Sequence, residues 1–398
     1  MVQAGSWEKS KDRYCGASRE RSVASALSGA FAATSDVSSN MPCKPAVCSH
    51  SLGRAWVHDM PSKLDQAARY GLDIELFYED LLYIAKELPG GPTPENHLEA
   101  ARYIRELCDK RSVTIICLQP FMHYDGLRDR ERHAERIEEM KLWIEMAKIL
   151  GTNLIGIPST CLPDDKVSGD VDLIVQDMIE VAELGRADGM LFVYEALCWG
   201  THVNLWEQTW EVVQRVDRPN FGMCIDTYNL AGRVYADPAS PTGKTVNADA
   251  DMAATLQRLV STVDVNKIFF VQVVDAQRLS SPLVEGHELY QPDQCARMSW
   301  SRNCRLFYGE DDRGAYLPIR DVLKALLVDL GYQGYLSAEL FNASLMKEDA
   351  EVPAEHARRA AESWQKIVED FGLDESIERT QLSRVARLAA DSAPRAQL

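Results

Sequence analysis

LFVYE at 191–195, FGMCID at 221–226, KIFFVQ at 267–272 and GYLSAE at 334–339 are short apolar runs that each end on one oxygen-bearing side chain. Those ends are Glu195, Asp226, Gln272 and Glu339. A continuous apolar run, unlike an alternating one, suits a strand covered on both faces, as in a parallel sheet. Working outward from these four, similar runs occur at 46–49, 73–77, 113–118 and 154–157. Residues at helical spacing follow them, for example Ile137, Met140, Ile144 and Ala147 after the third run, and Trp206, Trp210 and Val213 after the fifth. Eight strand–helix units in succession predict an α/β fold of the (β/α)8 TIM-barrel type. The competing architecture, a doubly wound open sheet, lacks its G-x-G-x-x-G after the first strand.

Two connections are long, 227–246 and 273–316, and both follow a strand. They therefore belong to the C-terminal face, where barrels carry their chemistry. The same face receives the four strand ends. Three carboxylates crowded together would repel and raise one another's pKa, and a divalent cation resolves that conflict. Oxygen donors with one amide suit a hard ion such as Mg²⁺ or Mn²⁺ better than a thiolate zinc site.

Composition narrows the function further. The 398 residues carry 43 Lys and Arg against 60 Asp and Glu, a net charge of −17. Such a chain is a poor match for nucleic acid, whose recognition needs clustered cations. No apolar run approaches the roughly 18 residues that span a bilayer, so no membrane helix is expected. Ten cysteines are scattered without a C-x-x-C pair, which points to reduced thiols and a cytoplasmic location. Residues 1–40 have no sustained apolar period, and Ser25, Ser28, Gly29 and the acids Glu8, Asp12 and Glu20 argue against a targeting peptide. They are expected to form an extension, 41–375 the single barrel domain, and 376–398 a tail. The assembly is left open, with a homodimer as the candidate.

Longer words carry a family likeness: CLQPF at 117–121 with YDGL at 124–127, VYEALCW at 193–199, and RPNFGMCIDTYNLAGRVYADP at 218–238. FVQVVDA at 270–276, ARMSWSRNCRLFYGEDDRGAYLP at 296–318 and LSAELFN at 336–342 complete the set. With these words the chain resembles the xylose-isomerase-like superfamily, and within it the 3-dehydroshikimate dehydratase family of fungal quinate catabolism, over about residues 41–372. The resemblance implies a metal-dependent lyase that removes water from 3-dehydroshikimate to give protocatechuate. It also implies that Glu195, Asp226, Gln272 and Glu339 hold Mg²⁺, Mn²⁺ or Co²⁺, the same four residues that the strand ends single out. A sugar or inositol isomerase or dehydratase on the same metal site is the alternative, but would lack the MSWSRNCRLFYG insertion at 298–309.

An anionic substrate entering an acidic protein needs a cation. Arg305 is the leading candidate, since guanidinium matches carboxylate in a bidentate way. Ser301, four residues earlier, and Arg302 are placed beside it as further substrate contacts. His202, on the loop after strand five, and His123, after strand three, are the acid–base candidates. Glu75 on strand two is expected to bind a substrate hydroxyl or pair inside the rim. Bacterial members of the family place Arg where this chain has Met122, and His where it has Asn229. Asn229 is therefore read as a substrate contact, since an amide cannot act as a base. Trp199, Trp300, Phe307 and Tyr308 are candidates for the cavity wall.

Overall fold

A computed structural model describes residues 42–373 of the chain; the expectations for 1–40 and 376–398 concern residues outside that range. Eight parallel strands close into a barrel: β1 (Cys43–Cys48), β2 (Asp73–Phe77), β3 (Ile115–Gln119), β4 (Leu154–Pro158), β5 (Leu191–Glu195), β6 (Phe221–Asp226), β7 (Ile268–Gln272) and β8 (Gly334–Ala338). Each neighbours its successor and β8 pairs with β1. All eight apolar runs thus became strands, and the (β/α)8 barrel is the architecture observed.

The helices form the outer ring because one stripe of each is apolar. In α4 (Arg130–Leu150) that stripe is Met140, Trp143, Ile144, Ala147 and Leu150; in α6 (Trp206–Val216) it is Trp206, Trp210 and Val213, all buried. Their starts are chemically marked. Asp129 caps α4 by accepting from the amides of Glu131 and Arg132 at 3.0 Å, and Asp59, Thr93 and Asp170 cap α1 (Met60–Arg69), α3 (Pro94–Asp109) and α5 (Val171–Arg186) in the same way. Each such cap contributes about 1 kcal/mol. Inside the barrel, Ala46, Cys117, Val193, Cys224 and Phe270 form a separate apolar cluster beneath the rim.

Three connections differ from the sequence reading. The unit after β2 carries two helices, α2 (Tyr78–Glu87) and α3. The stretch 227–246 is not an open loop: α7 (Thr227–Val234) starts directly at the end of β6, because the Asp226 carboxylate caps it, accepting from the amides of Tyr228 and Asn229 at 2.7 and 3.3 Å. The stretch 273–316 contains a short antiparallel ribbon, Asp275–Ala276 with Arg305–Leu306, and the helix Ala296–Cys304. That ribbon delivers Arg305 to the rim. The Arg305 amide donates to the Phe341 carbonyl at 3.0 Å and the Asn342 side chain donates to the Arg305 carbonyl at 3.0 Å, tying the arm to the exit of β8.

No helix among the described residues is long and apolar enough to cross a membrane. The nine described cysteines are all unpaired.

Candidate metal centre and active-site cavity

Strand register gathers the four strand-end residues. Asp226 lies opposite Gln272 in the β6–β7 pairing, and Glu195 lies opposite Cys224 in β5–β6. Side chains two apart on a strand share a face, so Cys224 and Asp226 both turn the way Glu195 does. Glu339 follows β8 by one residue; Ser337 of that strand pairs with Gln272. All four side chains are buried.

Nitrogen donors fill the space between these oxygens. The Asn229 amide nitrogen donates to Glu195 Oε1 at 2.7 Å and to Asp226 Oδ2 at 2.8 Å, while Asn229 Oδ1 accepts from the Cys198 amide at 3.0 Å. Arg305 Nη1 donates to Asp226 Oδ2 and Glu339 Oε2, both at 2.9 Å, and Arg305 Nε donates to Ser301 Oγ at 3.0 Å. The guanidinium lies over the rings of Tyr228 and Phe341, 4.3 and 5.0 Å from their centroids. On the far side, Gln272 Nε2 donates to Glu75 Oε1 at 2.7 Å, and Glu75 also accepts from the Ser337 hydroxyl.

Charge does not balance here. Glu75, Glu195, Asp226 and Glu339 are buried around one buried guanidinium, Arg305. Burial, then the Asp226 charge, pushes Glu195 up to about 8. Burial lifts Glu75 to about 7 against the hydrogen bonds from Ser337 and Gln272, and raises Glu339 despite the pull of Arg305. For Arg305, burial disfavours the charge, but Asp226 and Glu339 outweigh it and hold the group above its ordinary value. A divalent cation in this layer removes the excess repulsion, and carboxylate and amide oxygens are the donors of a hard ion. The residues fit such a group.

One detail departs from the expected set. Among the described residues, Cys48, Glu75 and Glu339 bring three ligand atoms of the Cys, His and carboxylate kind within 4.8 Å of one another. The Asn229 amide bridges Glu195 to Asp226, and the Arg305 guanidinium bridges Asp226 to Glu339, much as a cation would. Burial drives the Cys48 thiol far up, which makes it a poor anionic donor, so it is read as part of the wall rather than as a ligand.

Above this layer opens a cavity of about 500 Å³, inside the range of roughly 300–1,000 Å³ common for small-molecule sites. Glu195, Glu339, Ser301, Arg302 and Arg305 line it, so the structure brings these expected residues together. Of the aromatic candidates Trp199 lines the cavity. Trp300 is buried instead against Tyr228, its indole donating to the Gln277 carbonyl at 2.8 Å, and Phe307 packs under Arg359. Tyr308 donates its hydroxyl to Asp370.

The two acid–base candidates are not brought there. His123 sits at φ 57°, its Nδ1 3.3 Å from Thr160 Oγ1, and is outside the cavity lining. His202 leans on Gly169, with Nε2 3.1 Å from Asp164 Oδ1 but out of line for a hydrogen bond. Both loops turn their imidazoles onto the β4–α5 connection.

Several cavity residues escaped the sequence reading, Gln119, Arg54 and Glu79 among them. Gln119 ends β3 as Gln272 ends β7, and its Nε2 donates to Glu339 Oε1 at 2.8 Å; the strand-end rule, applied to β3, finds it. Arg54 and Glu79 come from the exits of β1 and β2, where no motif marks them. Glu79 is the carboxylate lining the cavity outside the buried acidic layer.

Comparison with known proteins places this geometry. Residues 64–367 match the family described as xylose isomerase-like TIM barrel. The chain is 54% identical over 341 residues to the 3-dehydroshikimate dehydratase of Neurospora crassa, covering 83% of this chain and 95% of that protein. It is 31% identical over 286 residues to the 3-dehydroshikimate dehydratase of Pseudomonas aeruginosa, covering 71% of this chain but only 36% of that longer protein. Among solved structures, a xylose isomerase-like TIM barrel/4-hydroxyphenylpyruvate dioxygenase fusion protein superposes with a TM-score of 0.62 at 26% identity, over 85% of this chain and 45% of that one.

Proposed function

The chain belongs to the xylose isomerase-like TIM barrel family and groups there with the 3-dehydroshikimate dehydratases, and from that premise we propose that it removes water from 3-dehydroshikimate with the aid of a divalent ion held by Glu195, Asp226, Gln272 and Glu339. The product is protocatechuate. The C4 proton leaves as a proton, the C5 hydroxyl leaves with it as water, and the remaining dienone tautomerises to the catechol. Aromatisation makes the overall step strongly downhill.

The observation that carries this reading is the buried ring of acids on the floor of an open cavity, with one guanidinium to offset them. A divalent ion such as Mg²⁺, Mn²⁺ or Co²⁺, held there by Glu195, Asp226, Gln272 and Glu339, would supply Lewis acidity to offset the negative charge that builds on the C3 oxygen. The chain's own groups do the rest. Asn229 and Arg305 space the ligand oxygens, and Gln119 holds Glu339 by its second oxygen. Trp199, Phe77 and Phe341 wall the cavity and limit water around the ring. A cytoplasmic location belongs to the same reading, supported by the unpaired thiols.

The test is direct. Purified protein mixed with 3-dehydroshikimate and Mg²⁺, Mn²⁺ or Co²⁺ is followed by ultraviolet absorbance for protocatechuate. Product is expected with at least one ion, and Glu339→Ala should abolish it together with bound metal. Absence of product with all three ions would rule the reading out.

A further inference from the structure

Three guanidinium groups line the cavity, Arg54, Arg302 and Arg305, and they are not in equivalent surroundings. Arg305 is 1% exposed and shares Nη1 between Asp226 and Glu339. It stands at the level of the metal ligands and is already outnumbered by acids. Another carboxylate placed against it would join four buried ones.

Arg302, by contrast, is exposed on the helix Ala296–Cys304 and, among the described residues, has no acidic partner. Arg54 has only a loose one: its Nη1 lies 3.8 Å from Glu79 Oε2, and its Nε is buried without a hydrogen-bond partner. The two arginines come from separate segments, the exit of β1 and the arm after β7, and both line the one cavity. Burial disfavours the charged form of Arg54, the Glu79 charge opposes that, and the charge of Arg302 adds a smaller push in the same direction as burial. Two cations facing one opening, one of them with an orphaned N–H, form a site that an anion completes.

Arg54 is also held in place. Its carbonyl accepts from the Val57 and His58 amides at 3.0 and 2.9 Å, and its amide donates to the Leu345 carbonyl at 3.3 Å. The preceding Gly53 adopts φ 131° with the His58 ring against it, where an added Cβ would lie 2.2 Å from that ring. The turn that presents Arg54 therefore requires glycine.

Substrate chemistry selects the same end of the cavity. In 3-dehydroshikimate the carboxylate is on C1, and C4 is directly across the ring. A ring whose C3 and C4 oxygens face the acidic floor must point its carboxylate a full ring width away, toward the mouth. Resting on the dehydratase reading, we infer that Arg54 and Arg302 grip the substrate carboxylate at the cavity mouth, while Arg305 serves the metal-ligand layer. This assigns Arg54 a binding role and moves the anchor one ring away from Arg305, where the sequence reading had put it.

The test pairs variants with charge-deleted ligands. With Mn²⁺-loaded protein, Arg54→Ala and Arg302→Ala should each raise KM for 3-dehydroshikimate at least tenfold, with bound metal unchanged and kcat reduced less. Arg54→Lys should recover part of the loss. Calorimetric titration with protocatechuate and with its methyl ester isolates the carboxylate. Wild type should prefer the acid by at least tenfold, and the Arg54→Ala/Arg302→Ala double variant should bind the two alike. Equal losses for acid and ester, or wild-type kcat/KM in both single variants, would overturn the assignment. Wild-type protein that forms no protocatechuate defeats the dehydratase reading separately. The calorimetric comparison then still decides whether the two arginines bind a carboxylate.

Discussion

Asn229 bridges Glu195 and Asp226 through a single amide nitrogen, so its work is to space two ligands rather than to move a proton. A neutral amide suits that position because it donates without adding charge to a layer already rich in acids. Gln119 plays the matching part for Glu339, 2.8 Å from Oε1. Partners of this kind orient metal ligands, and their loss typically weakens metal affinity 10–100-fold. Gln119→Ala should therefore weaken Mn²⁺ binding by about that factor, measured by competition with a chelating dye. The melting temperature of the fully loaded protein should move little. At this scale the sequence named the ligand candidates because carboxylates at strand ends are rare enough to notice. Gln119 and Arg54 were hidden because nothing in a chain states which side chains meet across a barrel.

Junctions between elements decide where chemistry lands. Asp226 closes β6 and caps α7 at once, which is why the chain passes from strand to helix with no loop between. Asp275 performs a similar service three residues beyond β7. Its Oδ1 accepts from the amides of Ala276, Tyr316 and Leu317 at 2.6, 3.2 and 2.9 Å, stitching the ribbon to the end of the long connection. Burial pushes this carboxyl from 3.8 to about 7, against the pull of those amides. The folded state thus binds a proton that the unfolded state has released, so stability from this group is greatest below pH 4 and falls as pH rises toward 7. Asp275→Asn keeps an acceptor oxygen without the charge. It should raise stability at pH 8, with roughly 4 kcal/mol as the ceiling at about 1.4 kcal/mol per pKa unit. The advantage should fade between pH 7 and pH 4. Denaturant titrations at pH 5 and pH 8 check this, and an equal effect at both would refute it. The two long connections were legible as functional from their length, but their helices and ribbon were not. Those form through caps and cross-connection hydrogen bonds that no local apolar period announces.

For the whole molecule, the unbalanced acids predict a coupling between metal and stability. A ligand that binds only the folded state stabilises it by about 2.7 kcal/mol at a concentration of 100 times Kd. Prolonged chelation should lower the melting temperature, and Mg²⁺, Mn²⁺ or Co²⁺ should restore it. Asp226→Ala should abolish the response and, having also lost its cap, melt lower than wild type even without metal. A metal-stripped protein with an unchanged melting curve would contradict the site.

Sequence alone determined the barrel and its ring of strand-end oxygens. Burial on both faces writes a continuous apolar run for each strand, and the end of a run marks where a side chain meets the rim. Register, which sets Asp226 beside Gln272 and Glu195 of β5 beside Cys224, two residues before Asp226 on β6, follows from closure of all eight strands. The same closure decided which arginine faces acids and which faces the opening, and turned His123 and His202 away from the cavity. Those outcomes depend on distances between segments far apart in the chain, which local patterns of hydrophobicity and charge do not encode.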